Sequence, residues 1–264
     1  MHIDLSGKTA LISGSTQGIG LAIATGLASS GARVVINGRH EEAVVKAAEG
    51  IRTQVAGADV VELTTDIATE EGVAKALSIV PSVDILVNNL GIFGVKDALE
   101  ITDEEWLRYF DVNVLAAVRL TRAYLPAMMS AGWGRISYIA SDSAVVIPEE
   151  MIHYGVSKTA MLGVSRGFAK AAAGTGVTVN SVIAGPTHTA GVEDFVYQLV
   201  DKELPWDEAQ REFMRLHRPQ SLIKRLIEPE EIANLVVYLS SSLASATTGA
   251  AVRVDGGYVD SILP

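Results

Sequence analysis

Tyr154 and Lys158 lie four residues apart in the stretch HYGVSK. On a helix, side chains four positions apart share a face, so the ammonium group of Lys158 would lie beside the phenol of Tyr154. A nearby cation stabilises phenolate and lowers a phenol pKa that is about 10 in isolation. A phenol tuned in this way can exchange a proton with a substrate oxygen. Because the spacing also fits a surface lysine beside a half-buried tyrosine, the pair alone leaves both interpretations open.

A glycine-rich turn, SGSTQGIG, follows an apolar run and precedes a helical pattern. Gly14 would permit a tight turn, Gly18 would let the backbone approach a pyrophosphate, and Gly20 would let the helix pack closely on the strand. Phosphate oxygens would then face N–H groups at the positive end of the helix dipole. A turn in which the glycines are purely structural is the alternative.

Short apolar runs alternate with helical patterns along the chain. Buried parallel strands form such runs. We therefore predict one α/β domain over residues 1–264, a Rossmann-like doubly wound parallel sheet of about seven strands with helices on both faces. The predicted strands are 9–13, 33–37, 60–64, 84–88, 135–140, 177–183 and 251–254. The predicted helices are 18–30, 41–56, 69–79, 102–130, 151–174 and 229–242.

The residues that could take part in catalysis or nucleotide binding occur in one order along the chain: Gly14, Gly18, Gly20, Asn88-Asn89-Leu90-Gly91, Asn113, Ser141, Tyr154 and Lys158. This order resembles the short-chain dehydrogenase/reductase family from Gly7 to Gly257, and within it the 3-oxoacyl-[acyl-carrier-protein] reductase-like branch. The chain departs from the family pattern at Leu90 and Ala184, where alanine and proline are usual. Neither departure changes a group expected to transfer a proton.

The resemblance implies a catalytic set for hydride transfer between a ketone and a secondary alcohol. Tyr154 would exchange the proton, and Lys158 would lower its pKa and hold the nicotinamide ribose hydroxyls. Ser141 would hydrogen-bond the carbonyl oxygen as charge develops on it. Asn113 would hold a water that connects Lys158 to solvent. Singly, Ser141 could instead cap a strand end, and Asn113 could bond the backbone within its helix.

Cofactor choice is predicted from the end of the second strand. NAD-selective folds place Asp or Glu there, about 20 residues after the glycines, to bind the ribose 2′-hydroxyl. Gly38 occupies that position here, and Arg39 follows it and can bind a 2′-phosphate bidentately. We therefore expect NADP in preference to NAD. Arg39 as a solvated loop charge is the alternative, and Glu41 and Glu42 lie close by.

The resemblance implies further cofactor contacts along the chain. Ile19 would donate a backbone contact to phosphate, Asp66 and Ile67 would flank adenine, and Thr187 and Thr189 would contact the nicotinamide carboxamide. The remaining expected contacts are Ser15, Thr16, Asn88, Gly91, Gly185 and Pro186, together with Tyr154 and Lys158 themselves.

Composition excludes several functional classes. The net charge of −10, with scattered basic residues, argues against a nucleic-acid partner. The absence of cysteine excludes disulfides and thiolate metal sites, and five scattered histidines without an HExxH pattern indicate no metal. The start shows no signal peptide, and no apolar run approaches the roughly 20 residues of a membrane span. We expect a soluble cytoplasmic protein and, from the resemblance, a homotetramer.

Residues 190–226 interrupt the alternation of strands and helices. They carry apolar residues, among them Phe195, Trp206 and Phe213, between charged ones. They would form either an amphipathic helix pair packed on the body or a variable substrate lid, since ligands bind beyond the carboxyl ends of strands. An apolar lid suits a small-molecule ketone with hydrophobic bulk. His153 and His188 could touch this substrate, and no role is assigned to Asp142.

Three other functions remain open. One is an NAD-dependent alcohol, sugar or steroid dehydrogenase of the same family. Another is an inert nucleotide-binding regulator on the same fold, against which the Ser141, Tyr154 and Lys158 set argues. The third is an epimerase or dehydratase with bound NAD, for which the chain shows no obvious sugar-nucleotide domain.

Overall fold

The apolar runs form one parallel seven-stranded sheet in the computed structural model, which describes residues 2–262. The strands are β1 (Thr9–Ile12), β2 (Arg33–Gly38), β3 (Val60–Thr64), β4 (Ile85–Asn88), β5 (Gly134–Ser141), β6 (Val177–Ala184) and β7 (Ala251–Val254). Each predicted strand is present within one residue of its predicted ends. The prediction of a doubly wound parallel sheet is confirmed.

The strand order β3-β2-β1-β4-β5-β6-β7 places a reversal of winding between β1 and β4. Ile12 of β1 pairs with Ile36 of β2 on one side and with Val87 of β4 on the other. Ligands of open α/β sheets bind in the crevice beyond the carboxyl ends of strands at such a point. The fold therefore brings the segments that follow β1, β2, β4, β5 and β6 to one edge of the sheet.

The helices lie between the strands and cover both faces. They are α1 (Gly18–Ser29), α2 (Glu41–Gln54), α3 (Glu70–Ile79), α4 (Asp103–Phe110), α5 (Ala116–Ala131), α6 (Ile152–Ala171), α7 (Ala190–Leu199), α8 (Trp206–His217) and α9 (Pro229–Leu239). No helix within residues 2–262 is long and apolar enough to cross a membrane.

One predicted helix, 102–130, differs from the structure. It is two α-helices, α4 and α5, joined by a π-helical turn at Asp111–Leu115. Such turns are rare and occur frequently at functional sites. Asn113 lies in this turn, so the interruption occurs where the sequence predicts a functional side chain.

Local sequence signals determine two helix starts. Thr102 Oγ1 accepts a hydrogen bond from the Glu105 N–H at 3.3 Å, and the Glu105 carboxylate accepts one from the Thr102 N–H. This reciprocal capping box satisfies two of the unpaired N–H groups at the start of α4. Pro229 begins α9, where its missing N–H costs nothing.

The two faces of the sheet bury separate apolar clusters. Ile12 and Ile36 face the cluster beneath α1, α2 and α9, whereas Leu11 and Val35 face the cluster beneath α3, α5 and α6. This division follows from the two-residue period of a strand, which points neighbouring side chains to opposite faces. The resulting double-sided core is a rigid support for the edge where the loops meet.

A third apolar cluster lies outside this core, in α7 and α8. Phe195 and Val196 of α7 pack against Phe213 and Met214 of α8, and Met151 at the start of α6 joins them. The helix pair predicted for residues 190–226 is therefore present. Its apolar residues find partners mainly in each other.

Candidate active site

A cleft of about 600 Å³ runs along the carboxyl ends of the strands, from the end of β2 to α7 and α8. Most of the predicted site residues line it: Gly14, Thr16, Gly18, Ile19, Gly20, Arg39, Asp66, Ile67, Gly91, Ser141, Tyr154, Lys158, Gly185, Pro186, Thr187 and Thr189. The volume falls within the range of small-molecule and cofactor sites. Three predicted residues, Ser15, Asn88 and Asn113, are not among its lining.

The glycine turn needs glycine at two positions, because both have a positive φ that other residues rarely adopt. Gly14 has a φ of 61°, and Gly18 has a φ of 55°. A Cβ on Gly18 would lie only 3.1 Å from Cγ2 of Thr189, so the turn and the segment after β6 approach each other closely here. Helix α1 begins at Gly18, and the Gln17 side chain makes no capping bond to it. Its first N–H groups are therefore available for an anion in the cleft.

Two asparagines hold this turn in place. Asn89 Nδ2 donates to the carbonyl oxygens of Ser13 and Gly14 at 3.0 and 2.9 Å. Asn37 Oδ1, at the end of β2, accepts from the Gly14 N–H at 3.2 Å. The motif that contains Asn89 does not by itself indicate this role, because the contact requires that β1 and β4 be neighbours in the sheet.

Ser15 and Asn88 lie behind the cleft wall. Ser15 Oγ donates to the Ile12 carbonyl at 2.8 Å and accepts from the Asn37 N–H at 2.9 Å. Asn88 Nδ2 donates to Thr121 Oγ1 at 3.2 Å inside the core. Both side chains therefore support the site from within, whereas the sequence predicted cofactor contacts for them.

The far end of the cleft, at the end of β2, has no acidic side chain at position 38. A Cβ on Gly38 would lie 2.6 Å from Cγ2 of Thr16 and 3.1 Å from Cγ2 of Val44. A carboxylate could not be placed there without moving these neighbours. Arg39 is exposed at the cleft and makes no hydrogen bond or ion pair within the described residues.

Lys158 is buried at the centre of the cleft. Its Nζ donates to the carbonyl oxygen of Ile139 in β5 at 2.8 Å and lies 5.7 Å from the centroid of the Tyr154 ring. Burial disfavours the ammonium form and lowers the pKa of Lys158 to about 8. The predicted proximity of the two side chains is present.

The pKa of Tyr154 shifts opposite to the sequence-based expectation. Burial within the protein is the largest effect and raises the pKa above its usual value, although the hydrogen bond with Ser141 acts in the lowering direction. The expected lowering by Lys158 is not among the causes. The physical reason is desolvation, which penalises phenolate and cannot be derived from the spacing of residues. Tyr154 therefore holds its proton at neutral pH.

Asn113 is held by the segment that follows β4. Its Oδ1 accepts from the Ile92 N–H at 2.8 Å, and its Nδ2 donates to the Ile92 carbonyl at 3.0 Å and to Ser157 Oγ at 2.9 Å. A Cβ on Gly91 would lie 3.3 Å from Lys158 Nζ and 3.4 Å from Asn113 Oδ1. The missing side chain at Gly91 thus lets the π-turn and α6 converge beside the cleft.

Ser141 ends β5 and hydrogen-bonds its neighbour. Its Oγ donates to Asp142 Oδ1 at 2.8 Å and accepts from the Ser143 N–H at 3.2 Å. The alternative of a capping serine is therefore also present, because Ser141 caps the short turn that follows. Its hydroxyl still lines the cleft beside Tyr154.

The segment after β6 is fixed by backbone and side-chain bonds. Thr187 Oγ1 donates to the Gly185 carbonyl at 2.8 Å, and Thr187 forms a parallel bridge with Ile227. Thr189 caps α7 by accepting from the Val192 N–H at 3.3 Å. Ala184, where proline is usual in the family, lies within β6 and pairs with Val254. The strand pairing thus holds this segment without the proline.

Neither predicted histidine lines the cleft. His153 is 1% exposed and packs on the Tyr109 ring, with centroids 4.0 Å apart. His188 stacks on Trp206 at 5.3 Å and bonds Glu193 Oε1 at 2.8 Å. These side chains are occupied by packing, and the expectation that they touch substrate is not supported. Trp206 likewise faces His188 and is absent from the cleft lining.

The sequence patterns indicate no site role for four residues at the end of the cleft near Tyr154: Phe93, Asp142, Met151 and Arg218. Phe213, expected in the segment 190–226, lines the cleft beside them. Phe93 meets the rings of Tyr154 and Phe195 edge-on, at 6.1 and 6.3 Å. Arg218 follows α8 and is only 8% exposed, with its guanidinium 5.3 Å from the Phe213 ring. These residues follow β4 and β5, precede α6, or belong to the end of α8, so only the folded chain brings them together.

Asp142 is also nearly buried, at 5% exposure. Burial raises the pKa of its carboxyl, whereas the Ser141 hydrogen bond and the Arg218 charge act in the opposite direction. Its Oδ1 accepts from Ser141 and Ser143, but its buried Oδ2 has no hydrogen-bond partner within the described residues.

Comparison with known proteins covers almost the full chain. The family model described as Enoyl-(Acyl carrier protein) reductase matches residues 14–259. The "Uncharacterized oxidoreductase YvaG" of Bacillus subtilis is 49% identical, over 99% of this chain and 100% of the relative. The 3-oxoacyl-[acyl-carrier-protein] reductase FabG of Aquifex aeolicus is 33% identical, over 97% of this chain and 99% of the relative.

Among solved structures, the L-sorbose reductase of Gluconobacter frateurii, complexed with NADPH and L-sorbose, is similar to this chain with a TM-score of 0.92. It is 35% identical, and the match covers 99% of this chain and 100% of that one. The fold, the family match and the relatives agree with the order of motifs in the sequence. The chain belongs to the short-chain dehydrogenase/reductase family and is an oxidoreductase acting on CH–OH groups.

Proposed function

We propose that the protein is an NADP(H)-dependent oxidoreductase that interconverts a ketone and a secondary alcohol, with Tyr154 as general acid and base. One observation carries this proposal. Ser141, Tyr154 and Lys158 line the same cleft as the glycine turn at the start of α1. A proton-transferring group and a dinucleotide-binding turn thus share one site, which an inert nucleotide-binding regulator would not need.

In carbonyl reduction, the residues at the centre of the cleft would each have a separate role. A bound nicotinamide supplies the hydride. Tyr154 holds the proton that the resulting alkoxide needs, because burial raises the pKa of its phenol. Ser141 lies beside it and places a second hydroxyl near the same oxygen. Lys158, whose pKa of about 8 leaves it mostly charged at neutral pH, stabilises negative charge in this region.

The end of the cleft at β2 supports NADP over NAD. Position 38 is glycine, so it carries no carboxylate to bind a ribose 2′-hydroxyl or repel a 2′-phosphate, and a side chain there would displace Thr16 and Val44. Arg39 is exposed at the cleft and carries a guanidinium without a partner in the described residues. The similar L-sorbose reductase was solved with NADPH. Three observations therefore support a 2′-phosphate at Arg39: the exposed guanidinium, the missing side chain at position 38 and the similarity to a structure solved with NADPH.

Arg39→Ala tests this cofactor choice. A hydrogen-bonded charge contact is worth about 1.5–3 kcal/mol, so NADPH affinity should fall roughly 10- to 100-fold while NADH affinity changes little. Arg33→Ala is the matched control, since Arg33 lies at the opposite end of β2 and pairs with Asp59. Titration of both variants with both cofactors measures the effect. Equal losses for NADPH and NADH, or a wild-type preference for NADH, would show that the cofactor is not selected through Arg39.

Turnover tests the reaction itself. The purified protein is mixed with NADPH and a panel of ketones, and loss of NADPH absorbance is followed. We expect oxidation of NADPH with at least one ketone and the reverse reaction with the matching alcohol and NADP⁺. Tight NADPH binding without turnover on any carbonyl or alcohol would favour the inert regulator.

A further inference from the structure

The cleft near Tyr154 contains two buried charged groups that the chemistry proposed above does not use. Asp142 follows Ser141 directly, and Arg218 reaches the cleft from the end of α8. They are 5% and 8% exposed, and both line the cleft. Burial of charged groups is costly unless they are hydrogen-bonded, so their presence in the cleft wall requires an explanation.

Asp142 is only half satisfied by the protein. Its Oδ1 accepts from Ser141 Oγ at 2.8 Å and from the Ser143 N–H at 2.7 Å. Its Oδ2 is buried and has no partner within residues 2–262. A hydroxyl would satisfy this oxygen in either protonation state, because it can donate to a carboxylate oxygen or accept from a protonated carboxyl.

The position of Asp142 limits where that hydroxyl lies on a substrate. Ser141 lies beside the reacting carbonyl oxygen in the proposed reaction, and its Oγ is 2.8 Å from Asp142 Oδ1. Asp142 follows Ser141 directly and lines the same cleft, so a carbonyl oxygen at Tyr154 and Ser141 leaves the carboxyl of Asp142 next to the neighbouring carbon of the substrate. A simple ketone would leave the buried Oδ2 unpaired.

Arg218 extends the polar surface away from the carbonyl. Its guanidinium lies against the rings of Phe213 and Tyr258 at 5.3 and 5.6 Å, and Nη1 donates to the His217 carbonyl at 2.7 Å. Glu150 Oε1 is 3.8 Å from Nη1. A guanidinium has further N–H donors, so this side chain can still donate to an oxygen in the cleft. The aromatic rings around it would pack on the carbon chain between the oxygens.

We propose that Asp142 binds a hydroxyl on the carbon next to the reacting carbonyl, and that Arg218 donates to a hydroxyl oxygen farther along the chain. The substrate class is then an α-hydroxyketone of the ketose type, rather than the hydrophobic ketone expected from the apolar residues of 190–226. This inference rests on the proposed ketone reduction and adds the substrate class to it.

Hydroxyacetone and butanone form the matched substrate pair, because they differ only by a hydroxyl in place of a methyl group next to the carbonyl. In the wild-type protein, kcat/KM for hydroxyacetone should exceed that for butanone by about tenfold or more. Asp142→Asn should lower kcat/KM for hydroxyacetone at least about tenfold more than for butanone. Asp194→Asn is the control, because Asp194 is exposed on α7 and absent from the cleft lining.

Two outcomes would overturn the proposal while ketone reduction stands. One is equal use of both substrates by the wild-type protein. The other is an equal loss for both substrates in Asp142→Asn, which would mean that Asp142 only positions Ser141. Thermal unfolding of the variant shows whether it is folded. Asp142→Glu provides the second variant, which should retain part of the preference if a carboxyl group is what the hydroxyl requires.

A binding measurement covers the case in which neither ketone is reduced and the proposed function fails. Propane-1,2-diol and butan-2-ol are titrated by calorimetry into the protein with saturating NADPH. The diol should bind about tenfold more tightly, and Asp142→Asn should remove most of the difference. Equal binding, or none, would overturn the substrate class independently of turnover.

Arg218 is tested with a longer ketose. Erythrulose carries hydroxyls beyond those of hydroxyacetone, so Arg218→Gln should raise KM for erythrulose several-fold more than KM for hydroxyacetone. Arg218→Lys should restore part of the loss, because it keeps a cationic donor. A uniform loss for both substrates, not recovered by lysine, would show that Arg218 only packs α8.

Discussion

Tyr154 and Lys158 illustrate how burial changes the chemistry of a residue pair. Their spacing predicts an ammonium beside a phenol, and the structure places Nζ 5.7 Å from the ring centroid. Yet burial raises the pKa of the tyrosine and lowers that of the lysine to about 8. The pair thus consists of a protonated phenol and a cation that loses its charge at mildly alkaline pH, which suits proton donation to an alkoxide.

Tyr154→Phe should reduce turnover to well below a tenth of wild type and leave NADPH affinity within a few-fold. The ring remains while the proposed acid is lost, and general acid catalysis is typically worth about 10²–10⁴-fold. Tyr109→Phe is the control, because it removes the hydroxyl of a neighbouring tyrosine in α4 that does not line the cleft. Single-turnover kinetics distinguishes chemistry from binding. Substantial residual activity would contradict the role of Tyr154.

The rate of ketone reduction should fall as pH rises through about 8, because Lys158 then loses its charge. The effect of Lys158 on the pH dependence of the free energy of unfolding has the opposite sign to its effect on the rate. Between about pH 8 and the ordinary lysine pKa of 10.5, the unfolded chain holds a proton that folded Lys158 does not, so this residue makes the free energy of unfolding rise with pH. A pH profile of kcat and urea unfolding measure the two effects. Lys158→Arg should remove the fall in rate near pH 8, and a wild-type rate unchanged to about pH 10 would refute the assignment.

At the scale of elements, α7 and α8 form a unit attached at defined points. Their apolar residues pack mainly on each other and on Met151. The bridge between Thr187 and Ile227 and the pair of His188 with Glu193 hold the unit at the end of β6. Because the unit carries Phe213 and leads into Arg218, its position determines the shape of the substrate end of the cleft.

Residues 190–226 should exchange amide hydrogens quickly without ligand and more slowly with NADPH and a substrate. The reason is that few contacts tie α7 and α8 to the main core, while a bound molecule would bridge them to β5 and α6. Helix α3, none of whose residues lines the cleft, serves as internal reference in the same hydrogen-exchange experiment. Equal protection of 190–226 in both states would show that the segment is part of the rigid body and not a lid.

At the scale of the whole molecule, the exposed apolar residues indicate which surface could mediate self-association. Small and apolar residues of α5 and α6, among them Ala116, Ala117 and Met161, are buried against the protein's own sheet and are not free to form an interface. Large apolar side chains on α4 and the π-turn remain exposed instead, with Leu107 at 70% and Leu115 at 43%. A homotetramer remains our prediction, now based on these residues.

Light scattering at micromolar concentration should give a mass of about four chains, or at least two. Leu107→Glu should lower this mass, because a charge would be buried in the contact. Leu99→Glu is the control, since Leu99 is 97% exposed and precedes α4. A wild-type mass near the 27.9 kDa of one chain would refute association.

The sequence by itself determined the strands, the two capped helix starts and the order of the motifs. These features depend on neighbouring residues: apolar runs such as Leu11-Ile12 divide between the two faces of a strand, and Thr102 meets Glu105 within one helical turn. Their signals are therefore complete within a few positions. The parallel order of the strands then requires that the segments after β1, β4, β5 and β6 meet at one edge.

Tertiary structure alone decided which side chains face the cleft and what their surroundings do to them. Asn88 bonds Thr121 in the core, whereas its neighbour Asn89 holds the glycine turn. The sign of the Tyr154 pKa shift depends on how much protein surrounds the phenol. Asp142 and Arg218 both line the substrate end of the cleft although they are 76 positions apart in the sequence. Desolvation and long-range packing arise from the folded chain as a whole, so no local pattern encodes them.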